Sequence, residues 1–511
     1  MTAFACASAP IRPESYPALA RADRLVLDGC YDCLLEARAA YQELATGRTR
    51  PLVVLRLFET NILLAIRERE LAIPADSTLA RAAALAAELP PSLGAQRYLD
   101  MVGLVPENAV GAPAVDREAF FGEHPDALER VDQLLASVET DTLSRAFRQY
   151  VTLSLHCSYI DRGRRSDRPP PLVARLDAHL EGAPPLVAYR LATCWFPTRD
   201  LVERIREQVP RFVETDLTVG QMELAVVPYN GPAKARPFFE ALYRRFPNSP
   251  TVTYLTGSLH ESAGDCAAAL PFYRETTALR ARHERALLGQ TVCLSALDQR
   301  DQAIETASRL IELSGRTEGE ALYWRAWNRY RLGNLLGARA DVDRAKAFEQ
   351  TGELLTLAGM IEHDQDQLDL AEADLDGALA QNDQNCTALR YLGQVQYKRQ
   401  QWPAAASRLG DATKCYGGSA ANAERQLKAA RDRADWEPEF KTMRMRALET
   451  RVKEQRAQES EAAVNAAANF LRAGDVRQAQ TYVNLAARDP ERAAAVRELQ
   501  ELIGTMTKRP R

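Results

Sequence analysis

The chain has 511 residues, 46% of them hydrophobic, and a formal net charge of -4 with acids and bases interspersed. A charge so balanced leaves no broad cationic footprint for duplex nucleic acid or an acidic lipid surface, so no nucleic-acid partner is expected. No apolar run reaches the roughly 20 residues that cross a bilayer, because charges interrupt even Leu52 to Leu64, and no transmembrane segment is expected.

Alanine and leucine abound and β-branched runs are few, as in Leu79-Ala-Arg-Ala-Ala-Ala-Leu-Ala-Ala-Glu88, which reads as an all-α chain. Residues 1–18 read as a flexible tether. Their start, Met-Thr-Ala-Phe-Ala-Cys-Ala-Ser-Ala-Pro, lacks the charged and apolar regions of a complete signal peptide. Ala3-Phe-Ala-Cys6 before a Ser/Pro-rich stretch is nonetheless similar to the cleavage end of a bacterial lipoprotein signal, with Cys6 as the lipid-carrying residue. A frayed cytoplasmic terminus is the plainer alternative. The compartment stays open between cell envelope and cytoplasm, and the only membrane contact considered is a lipid on Cys6.

Residues 19–215 read as a helical domain of irregular helices, with Leu27-Asp-Gly-Cys-Tyr-Asp-Cys-Leu-Leu-Glu-Ala37 as a half-motif of the kind repeated further along. Further helices are predicted near 52–72, 77–89, 125–157 and 172–180. Gly103 to Asp116 and Asp161-Arg-Gly-Arg-Arg-Ser-Asp-Arg-Pro-Pro-Pro171 are predicted as exposed loops. The four arginines of the second could dock an acidic group, though such a run is ordinarily a solvated loop.

From residue 216 a ladder of alanines begins: Ala235, Ala269, Ala303, Ala338, Ala371 and Ala405, spaced 34, 34, 35, 33 and 34 apart. Twelve residues before each stands Glu223, Gly257, Thr291, Ala326, Gly359 or Gly393, mostly small, where paired helices need close approach. Five before each stands Asn230, Gly264, Asp298, Gly333, Asp366 or Gln400, where one helix must turn into the next. Four after come Phe239, Tyr273, Ala307, Val342, Leu375 and Leu409, large except for Ala307. Tyr391-Leu-Gly-Gln-Val-Gln-Tyr-Lys-Arg-Gln-Gln-Trp-Pro-Ala-Ala405 is the fullest unit.

On this ladder, residues 216–503 resemble the tetratricopeptide repeat (TPR) family. The resemblance implies a right-handed α-solenoid: six repeats over 216–419, a degenerate helical hairpin inserted at 420–459 and turning near Trp436-Glu-Pro438, and a final repeat with a capping helix over 460–503. The final repeat carries Ala467, Gly474-Asp475, Ala479 and Val483 in phase, and residues 504–511 form a tail.

By analogy with that family, one face of each repeat's first helix lines a concave groove. The observed phase puts Tyr254, Tyr323, Trp327, Tyr330, Arg331, Arg390, Tyr397, Lys398 and Arg472 on or near it. Such an aromatic and basic face suits a peptide with apolar and acidic groups. A one-residue slip in phase would instead bury Trp327 or Tyr330. The paired asparagines and lysines with which some members clamp a C-terminal carboxylate are not recognisable.

No phosphate-binding loop, nucleophile elbow or His-Glu-x-x-His occurs, and the six histidines have no metal-ligand spacing. The chain is therefore read as non-catalytic, without cofactor or metal. Cys30-Tyr-Asp-Cys33 lacks the strand that precedes a redox-active Cys-x-x-Cys, so a structural disulfide or packed thiols are the favoured readings. With Cys6 set aside, the remaining cysteines pair in sequence as Cys30 with Cys33, Cys157 with Cys194, Cys266 with Cys293 and Cys386 with Cys415, an expectation for an oxidising compartment; buried thiols are the alternative. The functional expectation is a scaffold binding a peptide or partner subunit of unknown identity. The alternatives are a small-ligand or enzyme-accessory protein using a cleft between the N-terminal domain and the solenoid, and self-assembly through repeat ends.

Overall fold

The computed structural model describes residues 17–46, 49–105, 145–159, 183–194, 199–313 and 317–507. Among them are 24 helices and no strand. Cys6, the loop at 161–171, the segment expected as a helix at 172–180, most of the segment 125–157 and most of the loop at 103–116 lie outside the described residues. The fold is all-α, with TPR-like helical hairpins following an irregular helical region. The chain divides into two compact units, one of Met1–Val227, Lys234–Leu259 and Phe272–Ala281, the other of Pro228–Ala233, His260–Pro271 and Arg282–Arg511.

The first unit holds α1 (Pro17–Asp28), α2 (Tyr31–Leu44), α3 (Arg50–Glu70), α4 (Asp76–Ala86), α5 (Ala95–Gly103), α6 (Arg145–Tyr159), α7 (Pro185–Cys194), α8 (Arg199–Gln208) and α9 (Thr215–Leu224). The half-motif at 27–37 is a turn followed by a helix: Gly29 takes φ +69°, and Cys30 caps α2. Helix α3 is the spine, buried on nearly every side from Phe58 to Ile66 against Tyr98, Met101, Phe147 and Tyr150. Its polar residues Thr60 and Asn61 are buried there too, donating to the carbonyls of Arg56 and Leu57 one turn back. Helices α1, α5, α7 and α8 are not among the elements the sequence predicts.

After the short α10 (Val227–Asn230) come α11 (Arg236–Arg245), α12 (Pro250–Ser262), α13 (Cys266–Leu279), α14 (Glu284–Ala296), α15 (Arg300–Glu312), α16 (Glu318–Arg331), α17 (Leu335–Ala345), α18 (Gly352–Asp364), α19 (Leu368–Gln381), α20 (Cys386–Lys398), α21 (Trp402–Asp432), α22 (Pro438–Arg472), α23 (Val476–Ala486) and α24 (Ala493–Thr507). Every alanine of the ladder is fully buried. The small residue twelve positions earlier receives the large one four positions later. A β-carbon on Gly257 would lie 2.8 Å from the Tyr273 ring, and one on Gly393 would lie 2.7 Å from Leu409. The turn positions take positive φ whatever their side chain: Gly264, Asp298, Gly333, Asp366, Gln400 and Gly474. Several hairpin helices are capped by their own sequence, with Asn334, Thr351, Asn385 and Asp475 each accepting from a backbone N–H three residues on.

The ladder slips at its first rung. There the glycine against Phe239 is Gly220, whose β-carbon would stand 3.1 Å from the Phe239 ring, and not Glu223; the positive φ falls on Gly231, not Asn230. The two arms of the segment 420–459 are continuous with the helices on either side of it. They prolong the paired helices α21 and α22, 31 and 35 residues long, which turn between Arg433 and Glu437. At that tip Phe440 packs beneath Gly231 and beside Trp436, whose ring centroid is 5.0 Å away. Helix α24 buries Val496, Leu499 and Ile503 against α22 and α23 while its other face stays exposed.

Candidate functional site

In the second unit the first helices of successive hairpins approach one another, α14 with α16, α16 with α18 and α18 with α20, whereas the second helices α15, α17 and α19 stand farther apart. The layer with the tighter spacing is the inner one of a curved stack. Of the aromatic and basic residues on the repeat phase, Trp327, Tyr330 and Arg331 lie in the C-terminal half of α16 and Tyr397 and Lys398 in that of α20, whereas Arg390 lies in the N-terminal half of α20 and Arg472 ends α22.

Trp327 and Tyr330 are half-buried, packed against the cores of adjacent hairpins with ring centroids 6.4 Å apart. The Tyr330 hydroxyl donates to Asp364 at 2.9 Å and lies 3.1 Å from the Tyr391 hydroxyl. Burial first, then Tyr391 and Asp364, hold its phenol well above the ordinary range. Tyr391 meets His363 edge-on at 5.4 Å and carries the Arg390 guanidinium over its ring at 4.6 Å. Arg390 lies 3.7 Å from Glu461, and Lys398 donates to Asp366 at 2.6 Å. These two cations are thus already committed to acids of the chain.

Arg331 and Arg472 differ. Both are exposed, and neither has an acidic partner among the described residues. Arg331 lies 5.5 Å over Trp327; Arg472 lies 5.1 Å over Tyr397 and 5.4 Å over Trp402, rings that themselves meet edge-on at 5.5 Å. Such stacking holds a guanidinium in place while its N–H fork stays available. Their position in the last turns of α16 and α22 also complements the helix dipole, which is the purely structural reason for a base there.

Tyr254 lies in the first unit, half-buried with its ring 5.9 Å from that of Tyr273. Tyr323 sits in the first half of α16, away from Arg331, and lines a cleft with Trp324 and Phe348. Trp402, half-buried, joins this face although it opens a second helix, where the phase of the first helices does not reach. Its place beside Tyr397, five residues earlier across the Gln400 turn, is the signal that could have found it.

Three cysteine pairs bring their sulfurs to bonding distance: Cys30 with Cys33, Cys266 with Cys293 and Cys386 with Cys415, at Cα separations of 4.9, 4.9 and 5.4 Å. Cys157 and Cys194 end α6 and α7, but their side chains lie outside the described residues.

A second polar cluster is sealed inside the first unit. Arg67 contacts Glu70 at 3.1 Å and Glu214 at 2.5 Å, and Arg190 contacts Glu70 at 3.2 Å, all four side chains at most 1% exposed. Tyr150 donates to Glu70 at 2.9 Å, and the Arg67 guanidinium lies 4.3 Å over Tyr189. Sealed from solvent, these four charged side chains join α3, α7 and the start of α9. Among the described residues no group of His, Cys, Asp and Glu has the arrangement to hold a metal ion, and no helix is long and apolar enough to cross a membrane.

No protein-family model matches the chain, and no curated protein does. Among solved structures it is similar to the APC/C hetero-tetramer Cut9–Hcn1, at 14% identity over 95% of this chain and 98% of that one, with a TM-score of 0.43. It is similar to a tetratricopeptide repeat protein from Parabacteroides merdae, at 14% identity over 56% of this chain and 98% of that one, with a TM-score of 0.35. It is also similar to YrrB, a TPR protein with an unusual peptide-binding site, at 16% identity over 35% of this chain and 91% of that one, with a TM-score of 0.31.

Proposed function

We propose that the chain is a non-catalytic protein-binding scaffold whose second unit holds a partner segment along the first-helix face. The carrying observation is the pair of exposed guanidiniums without acidic partners among the described residues, Arg331 on Trp327 and Arg472 on Tyr397 and Trp402. Each offers a ring for apolar contact and a planar donor fork for a carboxylate, at little further cost in side-chain entropy. A partner segment with acidic and apolar residues answers both. Trp and Arg are also the residue types in which interface energy concentrates.

Site-specific photocrosslinking tests this. A photoreactive residue at position 331, 397 or 472 of the full chain should give one discrete protein adduct in cells, weakened by Trp327→Ala or Trp402→Ala. The same probe at Glu305, exposed on the second helix α15, should give none. Equal adducts from 305 and 331, or none from the three face positions, would refute the proposal.

A further inference from the structure

The end of α16 opposite Arg331 is acidic, as is the same end of α18. A cleft of about 760 Å³ opens where the N-terminal turns of α16 and α18 meet the turn after α17. Tyr323, Trp324 and Phe348 line it, together with Glu320, Glu349 and Glu353. The Tyr323 and Trp324 rings meet edge-on at 5.4 Å, and Phe348 is 54% exposed, a large apolar ring left half in water. Gly319 lets Phe348 come this close: a β-carbon there would lie 3.1 Å from that of Phe348. The three carboxylates are exposed, and none pairs with a base among the described residues. Arg344, in the last turn of α17, is held by Glu318 at 2.9 Å, and Lys346, at the start of the turn after it, pairs with Asp374.

We infer that this cleft binds the side chain of an arginine or lysine presented by a peptide partner. Two helix N-termini border it, each worth about half a positive charge, and three full carboxylates outweigh them. An anion would meet net repulsion there. A purely apolar side chain would cover the rings but gain nothing from the acids. A guanidinium or ammonium gains from both, through cation–π contact with the rings and charge-assisted hydrogen bonds to the carboxylates. The volume exceeds what one cationic head fills, leaving room over Leu354 and Ala345 for flanking residues. Acids in first turns also stabilise their own helices, which accounts for Glu320 and Glu353; it does not account for Glu349 or for an exposed Phe348. The inference stands apart from the basic face: either could fail alone.

The test is ¹⁹F NMR of the full chain carrying 5-fluorotryptophan, with the Trp324 signal among the five tryptophans identified from Trp324→Phe. Acetyl-Ala-Arg-Ala-amide should shift that signal saturably, while acetyl-Ala-Glu-Ala-amide leaves it in place. Affinity for the arginine peptide should fall at least about tenfold, or 1.4 kcal/mol, in the triple variant Glu320→Gln, Glu349→Gln, Glu353→Gln and, separately, in Phe348→Ala. No shift up to about 10 mM peptide, or an equal shift with the glutamate peptide, would overturn the inference. Unchanged affinity in both variants would do the same. Methylguanidinium binding as tightly as the arginine peptide would overturn the peptide as occupant.

Discussion

A β-carbon on Gly359 would lie 2.5 Å from Cγ of Leu375, so the two residues set the spacing between α18 and α19. Neither backbone can yield without disturbing the neighbouring hairpins, since Leu375 is fully buried among Ala371, Ala378 and Leu392. Gly359→Ala should therefore destabilise the second unit by about 1–3 kcal/mol through overpacking, despite alanine's better helix propensity. Gly418, exposed within α21 and with nothing near its missing β-carbon, is the control: Gly418→Ala should stabilise by about 0.5–1 kcal/mol. Urea midpoints of the two variants moving in the same direction would contradict this account.

Gln400 holds φ +62° at the turn between α20 and α21, a conformation costing an L-residue about 1–2 kcal/mol relative to glycine. Gln400→Gly should raise stability by about 0.5–1 kcal/mol once the looser unfolded chain is allowed for. Gly474→Ala, at φ +82° in the equivalent turn, should lower it by about 1 kcal/mol or more. Thermal midpoints read the sign directly.

The turn prediction marks what a sequence of this kind discloses. Ala371, Gly359 and Asp366 recur at fixed offsets because each hairpin meets the same two demands, a close helix approach and a left-handed turn, and repetition makes local demands visible. The first rung is less legible because Gly220 sits three residues, and Gly231 one residue, off the common spacing. The Arg67, Glu70, Arg190 and Glu214 cluster is illegible for another reason: its members lie on helices far apart in sequence, and nothing local distinguishes a buried arginine from a solvated one. The acidic cleft is hidden likewise, because Glu320 and Glu353 read as ordinary first-turn acids and Phe348 as a loop residue.

Removing one member of that buried cluster unbalances the charges that remain buried. Glu70→Ala removes a carboxylate from both Arg67 and Arg190 and an acceptor from Tyr150. The expected loss is about 3–5 kcal/mol, as for a buried charge deprived of its partner. Glu88→Ala, which breaks the exposed pair with Arg50, should cost under about 1 kcal/mol. Denaturant unfolding that ranked the two equally would show the cluster to be less sealed than its geometry.

The second unit should lose stability as pH rises toward neutrality, through Glu362. Its side chain is 1% exposed, with Arg339 at 2.7 Å, Lys346 at 3.9 Å, and Asp374 facing it from α19 while paired with Lys346. Burial, and then the repulsion of Asp374, outweigh the two bases and lift its carboxyl from 4.5 to about 7. The folded chain then holds a proton that the unfolded chain releases, so this contribution is fully present below about pH 4.5 and is lost as pH passes through about 7. Glu362→Gln keeps the uncharged form at every pH. Its stability relative to the unaltered chain should rise between about pH 5 and pH 8, even where loss of the Arg339 pair lowers the absolute value. A difference that stays flat across that range would mean the carboxylate is already charged at pH 5 and that Arg339 and Lys346 prevail over burial.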